Sequence, residues 1–366
     1  MRLALLFGPL PTGARPLDLR VADTSPRGMT GTDNSFVGYA REMVARGHEV
    51  HALVVGHEET AVGGIHIWPW KPMVFDFGWM DAVVSWCDPD PLEAVAASCV
   101  RIVDCQLNNF DTARTKHSEF VDVYAAPSAS LARRLAKMAP GRWEVLPNGC
   151  DPDAYDLGAK VPGLCIYTSS PDRGLHVALT MWPTIRAAVP NATLKIYYHS
   201  MQHLFDCIET DRAIPYWTNQ EQARRATIIR DLIDQPGVEH VGSVSRVEMA
   251  NAYSEAMVLA YPADTIKYTE GFGVAVLEGL ASGAVPVISS VDCFGEVYGG
   301  ACPMVEPTAW ENRHEWAEMV IRALTDEPWR QAWVDRGRET AAVHAWPVLG
   351  ERLERMILEA KARKRS

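Results

Sequence analysis

The chain is built from short runs that are apolar from end to end, separated by segments of helical period. Leu3 to Phe7 is the first such run. A strand that is apolar on both faces must be covered on both, as in a parallel sheet flanked by helices. Gly8, Pro9, Pro11 and Gly13 end the run, and a long polar loop follows to about Gly31. Loops of that length in compact domains usually carry function. Thr32 or Asp33 is then placed to cap a helix whose Phe36, Tyr39, Ala40, Met43 and Val44 share one face. Gly47 stands just past its end, where a left-handed residue is wanted, and His48 to Val55 reads as the next strand. Strand, loop, helix, strand is the signature of a parallel α/β domain.

Asp81 to Trp86, Val100 to Cys105 and Val121 to Ala126 extend the series, with Ser128 capping a helix to Lys137. Around Asp151 to Pro162 the chain turns polar and is broken by Gly and Pro. The same grammar then restarts. Strands are expected at Leu164–Thr168, Leu194–Tyr198, Glu239–Val241, Val258–Tyr261 and Val285–Ser289. Helices are expected at 175–189, 221–234, 246–256 and 271–281, and the stretch from Pro307 onward is helical in pattern. The expected division is a Rossmann-like domain over 1–155, a second over 156–340, and a helical segment over 341–366 that packs back on the first. In open sheets of this kind ligands bind beyond the carboxyl ends of the strands.

Composition narrows the partners. The 366 residues carry a formal net charge of -11, so the counterion release that drives non-specific nucleic-acid binding is disfavoured. Eight cysteines are scattered with no CxxC pair, which reads as reduced thiols in a cytoplasmic protein. No apolar stretch approaches the roughly 20 residues needed to span a bilayer, and peripheral membrane contact stays open, as does oligomeric state. The opening run is followed by Gly8-Pro9-Leu10-Pro11 and not by GxGxxG, which argues against a nicotinamide dehydrogenase.

One segment bears most directly on function. Glu270-Gly271-Phe272-Gly273-Val274-Ala275-Val276-Leu277-Glu278 follows a strand and opens a helix. Gly271 and Gly273 let backbone approach a ligand, and the free amides of a helix start suit a diphosphate. If the segment is helical, Glu278 lies about two turns beyond Glu270. Spacing alone leaves two readings level: two carboxylates on one extended polar ligand, or a capped helix with solvated glutamates.

With these residues in place the chain resembles the family of retaining GT-B glycosyltransferases known as family 4. The two glutamates flanking seven residues belong to the resemblance, as does Ala281-Ser282-Gly283-Ala284-Val285-Pro286-Val287-Ile288 after the helix. So do Gly31, Arg46-Gly47-His48-Glu49-Val50 and Leu146-Pro147-Asn148-Gly149-Cys150-Asp151. The motifs span Met1 to about Pro303. The resemblance implies a GT-B fold, an α/β architecture of two Rossmann-like domains facing each other across a cleft, with C-terminal helices. It implies a transferase that moves a sugar from a UDP-, GDP- or ADP-sugar to a hydroxyl acceptor with retention, by same-face attack, without a metal or other cofactor.

It also implies roles. Glu278 would bind the donor ribose, and Glu270 the transferred sugar. Arg173 in Ser169-Ser170-Pro171-Asp172-Arg173 would stabilise the leaving diphosphate. Gly31, Gly271, Phe272 and Gly273 would line the donor. The chain departs from the family at two places. Ser169 or Ser170 stands where a first cation is common, so either the serine hydroxyls and backbone bind the donor there or Lys267 supplies a substitute charge. Gln106 stands where a His is common, able to hold a sugar hydroxyl but not to act as a base; Asn108 and Asn109 offer similar amides, and His117 reads as a surface residue. The departures keep two alternatives open: a non-catalytic nucleotide- or sugar-binding protein, and a phosphorylase-like enzyme. The tryptophans, Trp68, Trp70, Trp79 and Trp86 among them, suit sugar stacking or core packing equally.

Overall fold

The computed structural model describes residues 1–8, 17–107, 119–202, 204–205, 220–265, 268–306 and 309–365. It divides into two units. One holds Met1–Ala22, Met29–Cys150 and His344–Ser366, the other Asp23–Gly28 and Asp151–Val343.

The first unit is an eight-stranded sheet. Its strands are β1 (Arg2–Phe7), β2 (Glu49–Val54), β3 (Thr60–Val62), β4 (Ile65–Pro69), β5 (Ala82–Trp86), β6 (Val100–Asp104), β7 (Val123–Ala126) and β8 (Trp143–Val145). They lie in the order β3-β4-β2-β1-β5-β6-β7-β8. Every pairing is parallel except β3 with β4. That hairpin was not evident from the apolar runs. It turns on Gly63 and Gly64, at φ +57° and +84°, the backbone a two-residue turn demands.

The first helix, α1 (Gly31–Ala45), is capped two to three residues earlier than expected. Thr30 is the N-cap, not Thr32 or Asp33. The Asp33 amide donates to Thr30 Oγ1 at 3.2 Å, and the Thr30 amide to Asp33 Oδ2 at 2.8 Å, so two otherwise unpaired donors are satisfied reciprocally. Gly47 follows the helix at φ +80°. The last helix (Trp346–Arg363) belongs to this unit and buries Leu349, Leu353, Met356, Ile357 and Ala360 in its core. Those positions form one stripe at helical spacing. Gly38 is needed under it, because a Cβ there would fall on the Trp346 ring. The Tyr39 hydroxyl donates to the Pro147 carbonyl at 2.6 Å, which ties α1 to the Pro147-Asn148-Gly149 turn.

The second unit is a parallel six-stranded sheet. Its strands are β9 (Leu164–Tyr167), β10 (Thr193–Ile196), β11 (Val238–His240), β12 (Val258–Ala260), β13 (Val285–Ser289) and β14 (Met304–Val305). The order is β11-β10-β9-β12-β13-β14, so the winding reverses between β9 and β12. In doubly wound sheets that reversal opens a crevice at the carboxyl ends of the two central strands. The loops leaving β9 and β12, over 168–174 and 261–273, are therefore the ones placed to hold a ligand.

Candidate functional site

The loop after β9 ends in a short helical turn, Pro171–Arg173, and Gly174 leads into a helix over Leu175–Ala188. Gly174 sits at φ +121°, and a Cβ on it would fall on the Pro262 carbonyl oxygen. The loops of β9 and β12 thus meet backbone to backbone, and only glycine permits it. A Gly174→Ala chain is expected to lose about 2–3 kcal/mol of stability, read from urea unfolding.

That approach brings together residues far apart in sequence. Arg173 Nη1 donates to Glu270 Oε1 at 2.8 Å. The Tyr261 hydroxyl donates to the same oxygen at 2.5 Å, and Ser169 Oγ donates to Tyr261 Oη at 2.8 Å. Glu270 is 2% exposed, whereas about a third of the Arg173 side chain reaches solvent. The arginine therefore keeps an open side while its charge balances a buried carboxylate. Its Nε is buried without a partner among the described residues.

Glu270 and Glu278 do not share a helix. The helix starts at Val274, with Gly273 as its N-cap at φ +82°. A left-handed residue cannot continue a helix, so Glu270 stays in the loop and only Glu278 is helical. Gly273 must be glycine, because a Cβ would fall on the Phe294 ring. No side chain caps this helix, in contrast to the reciprocal cap of α1, and a helix start of that kind suits an anion. Glu278 accepts from Arg246 Nη1 at 3.3 Å. Burial pushes its carboxyl above the ordinary range, against the pull of Arg246 and of the Tyr253 hydroxyl. Each glutamate thus has one arginine.

The remaining expected residues fall as follows. Ser170 Oγ donates to the Tyr198 hydroxyl at 3.5 Å, so both serines turn toward phenols. Phe272 is 3% exposed and packs on Tyr298; its side chain belongs to the core, leaving its backbone to line a ligand. Lys267, Asn108, Asn109 and His117 lie outside the described residues. His176 is buried, with Nε2 3.1 Å from Asp264 Oδ2. Gly31 is the exposed first residue of α1.

Gln106 lies past β6 in the first unit. Its Nε2 donates to Asp104 Oδ2 at 2.8 Å and to Ser35 Oγ at 3.3 Å, and its Oε1 accepts from Asn148 Nδ2 at 2.9 Å. The amide is committed within the protein, which limits what it offers a sugar. Asp104 is fully buried, and desolvation pushes its carboxyl up to about 7 despite those donors. Of the tryptophans, Trp86 is core, while Trp68 and Trp79 gather around His51. Among the described residues no group of three or more His, Cys, Asp or Glu is placed to hold a metal ion, and no helix is long and apolar enough to cross a membrane.

Sequence reasoning missed Tyr253, Tyr261, Arg246 and Asp292. Only Arg246 had a local signal: Ser245-Arg246-Val247-Glu248 is a capping-box sequence, and Ser245 does cap the helix over Arg246–Glu255.

Residues 165–340, which contain all of this second-sheet constellation, match the family model Glycosyl transferases group 1. The second domain alone carries this match, which spans a little under half of the chain. A curated relative, O-antigen chain mannosyltransferase B of Escherichia coli, is 27% identical over 111 residues. That match spans 30% of this chain and only 27% of the relative's length. The whole fold is similar to that of a sucrose-phosphate synthase from Thermosynechococcus elongatus, at TM-score 0.70 and 14% identity over 99% of both chains. It is also similar to an Anabaena protein solved in complex with UDP and glucose, at TM-score 0.62 and 12% identity over 98% of this chain and 100% of that one. These likenesses show the fold, which is GT-B: two Rossmann-like α/β domains with C-terminal helices.

Proposed function

We propose that the protein is a retaining glycosyltransferase of the group 1 family that moves a hexosyl group from a nucleoside-diphosphate sugar to a hydroxyl acceptor. The observation that carries the reading is the Arg173–Glu270 pair beside the uncapped helix start at Gly273, where the second sheet reverses. A donor there would set its diphosphate over the amides that follow Gly273. Arg173 would meet the charge that grows on the leaving phosphate. Glu270, released in part from Arg173, would accept from hydroxyls of the transferred sugar. Glu278, held by Arg246, would take the ribose diol. Ser169 and Ser170, in place of a common cation, meet the phenols of Tyr261 and Tyr198 and, among the described residues of their loop, no second charge, so Arg173 and the helix amides would carry the leaving group between them. The reaction would need no side-chain nucleophile: the leaving phosphate takes the acceptor proton as the acceptor attacks the same face. The first domain would bind the acceptor. The seven described cysteines are free, which fits a cytoplasmic protein.

The test offers UDP-, GDP-, ADP- and dTDP-sugars singly, with and without a broad acceptor mixture, and measures nucleoside diphosphate release. Release from one donor class, raised by acceptor, supports the proposal. Binding without release favours a non-catalytic nucleotide-binding protein. Release that depends on inorganic phosphate favours phosphorylase-like chemistry.

A further inference from the structure

Asp292 is one of two non-glycine residues at positive φ among the described residues, at φ +52°. It follows β13, on the far side of β12 from Arg173. Its Oδ2 accepts the backbone N–H of Thr269 at 2.8 Å and that of Glu270 at 2.9 Å. The Thr265 hydroxyl reaches the same oxygen at 3.5 Å. A side chain with a Cβ persists in the left-handed region only where its surroundings hold it there, and here that geometry aims the carboxylate at the two amides. The short helix that begins next, Phe294–Tyr298, braces the other end of the loop: Phe294 fills the space beside Gly273, and the Tyr298 hydroxyl donates to the Gly273 carbonyl at 3.1 Å.

We infer that Asp292 is a positioning residue that fixes the backbone of Glu270, so that this carboxylate stands where a transferred sugar must be met. Asp292 itself touches no substrate. The inference rests on the donor-site reading above. Among the described residues Glu270 is otherwise held through its side chain, by the Arg173 and Tyr261 bonds that a donor would have to share. Two amide bonds to one fixed oxygen keep the backbone in place while those bonds exchange.

Two substitutions separate the carboxylate from the backbone strain. Asp292→Gly keeps the left-handed backbone at no steric cost but removes the acceptor. Asp292→Asn tolerates the same backbone and keeps an amide oxygen facing the N–H groups. Each is compared with the unaltered chain by nucleoside diphosphate release, by thermal melting and by hydrogen exchange of the peptide covering 268–273. The expected result for Asp292→Gly is an unchanged melting point, faster exchange in that peptide, and kcat/KM lower by about 100-fold. Asp292→Asn is expected to keep slow exchange and to stay within about tenfold of the unaltered chain, because a neutral acceptor is weaker than a carboxylate. Full turnover in Asp292→Gly, or an equal loss in both variants, overturns the inference. Should the unaltered chain release no nucleotide, the donor reading falls, and exchange alone decides the latch: faster in Asp292→Gly and slow in Asp292→Asn upholds it, equal rates in all three refute it.

Discussion

Replacing Arg173 by alanine is expected to lower turnover at saturating donor by about 10²–10³-fold, the usual loss when one donor to a developing negative charge is removed. The effect is large because Arg173 has no cationic deputy among the described residues of its loop: Ser169 and Ser170 stand where a first cation is common, and both hydroxyls are directed at tyrosines. The same substitution strips its cation from Glu270, which is 2% exposed in the unaltered chain. Breaking a buried pair from one side leaves an uncompensated charge and costs stability. Arg173→Ala should therefore also lower the melting point, and Arg173→Ala combined with Glu270→Ala should recover it without recovering turnover. Lysine should not substitute, because a point charge cannot both serve Glu270 and present a fork to a phosphate. Steady-state nucleoside diphosphate release checks the first part and thermal melting the second. Turnover of Arg173→Ala within a few-fold of the unaltered chain would remove the arginine from the mechanism.

The second large effect concerns stability in the first domain. Asp104 lies at the end of β6 with no exposure, and burial holds its carboxyl up at about 7. An unfolded chain releases that proton near the ordinary carboxylate value, about 4. Between about 4 and about 7 the folded chain still holds a proton that the unfolded chain has lost, so rising pH favours unfolding. The contribution is whole below about pH 4, shrinks through this window, and is gone above about 7. Over some three units it amounts to at most ~4 kcal/mol at ~1.4 kcal/mol per unit. Asparagine keeps an oxygen for Gln106 Nε2 and cannot ionise. The stability of Asp104→Asn relative to the unaltered chain should accordingly rise from pH 4 to 7 and then level off. Urea unfolding across that range measures it, and a constant difference would show that Asp104 is ionised throughout.

The fold was legible where physics is local. Strands buried on both faces appear as unbroken apolar runs, and Gly47 marks a helix end whose backbone it alone tolerates. The β3–β4 hairpin hid because Thr60 to Val62 is short and mostly exposed, and its Gly63-Gly64 turn had no apolar runs beside it. Of the candidate site, the two glutamates were singled out by the resemblance, since spacing alone left them level with solvated residues, and their environment was not legible at all. Tyr253 and Tyr261 read as core, and they are core; only the tertiary fold shows that the Tyr261 hydroxyl ends on Glu270 and the Tyr253 hydroxyl on the Ala275 carbonyl. Asp292 holds Glu270 across 22 residues because β13 lies beside β12, a neighbourhood no local pattern encodes. Gln106 matched a family position, yet its bonds to Asp104, Ser35 and Asn148 depend on where β6 and the Pro147-Asn148-Gly149 turn come together.

Calorimetric titration of the chain and of its Glu278→Ala variant with UDP, GDP and ADP bears most directly on the claim that the second domain holds the donor nucleotide. The account predicts that one of the three binds the unaltered chain and that Glu278→Ala weakens it at least about tenfold, the worth of a charge-assisted hydrogen bond to the ribose diol. Binding of equal strength in both proteins, or of none of the three nucleotides to either, would contradict it.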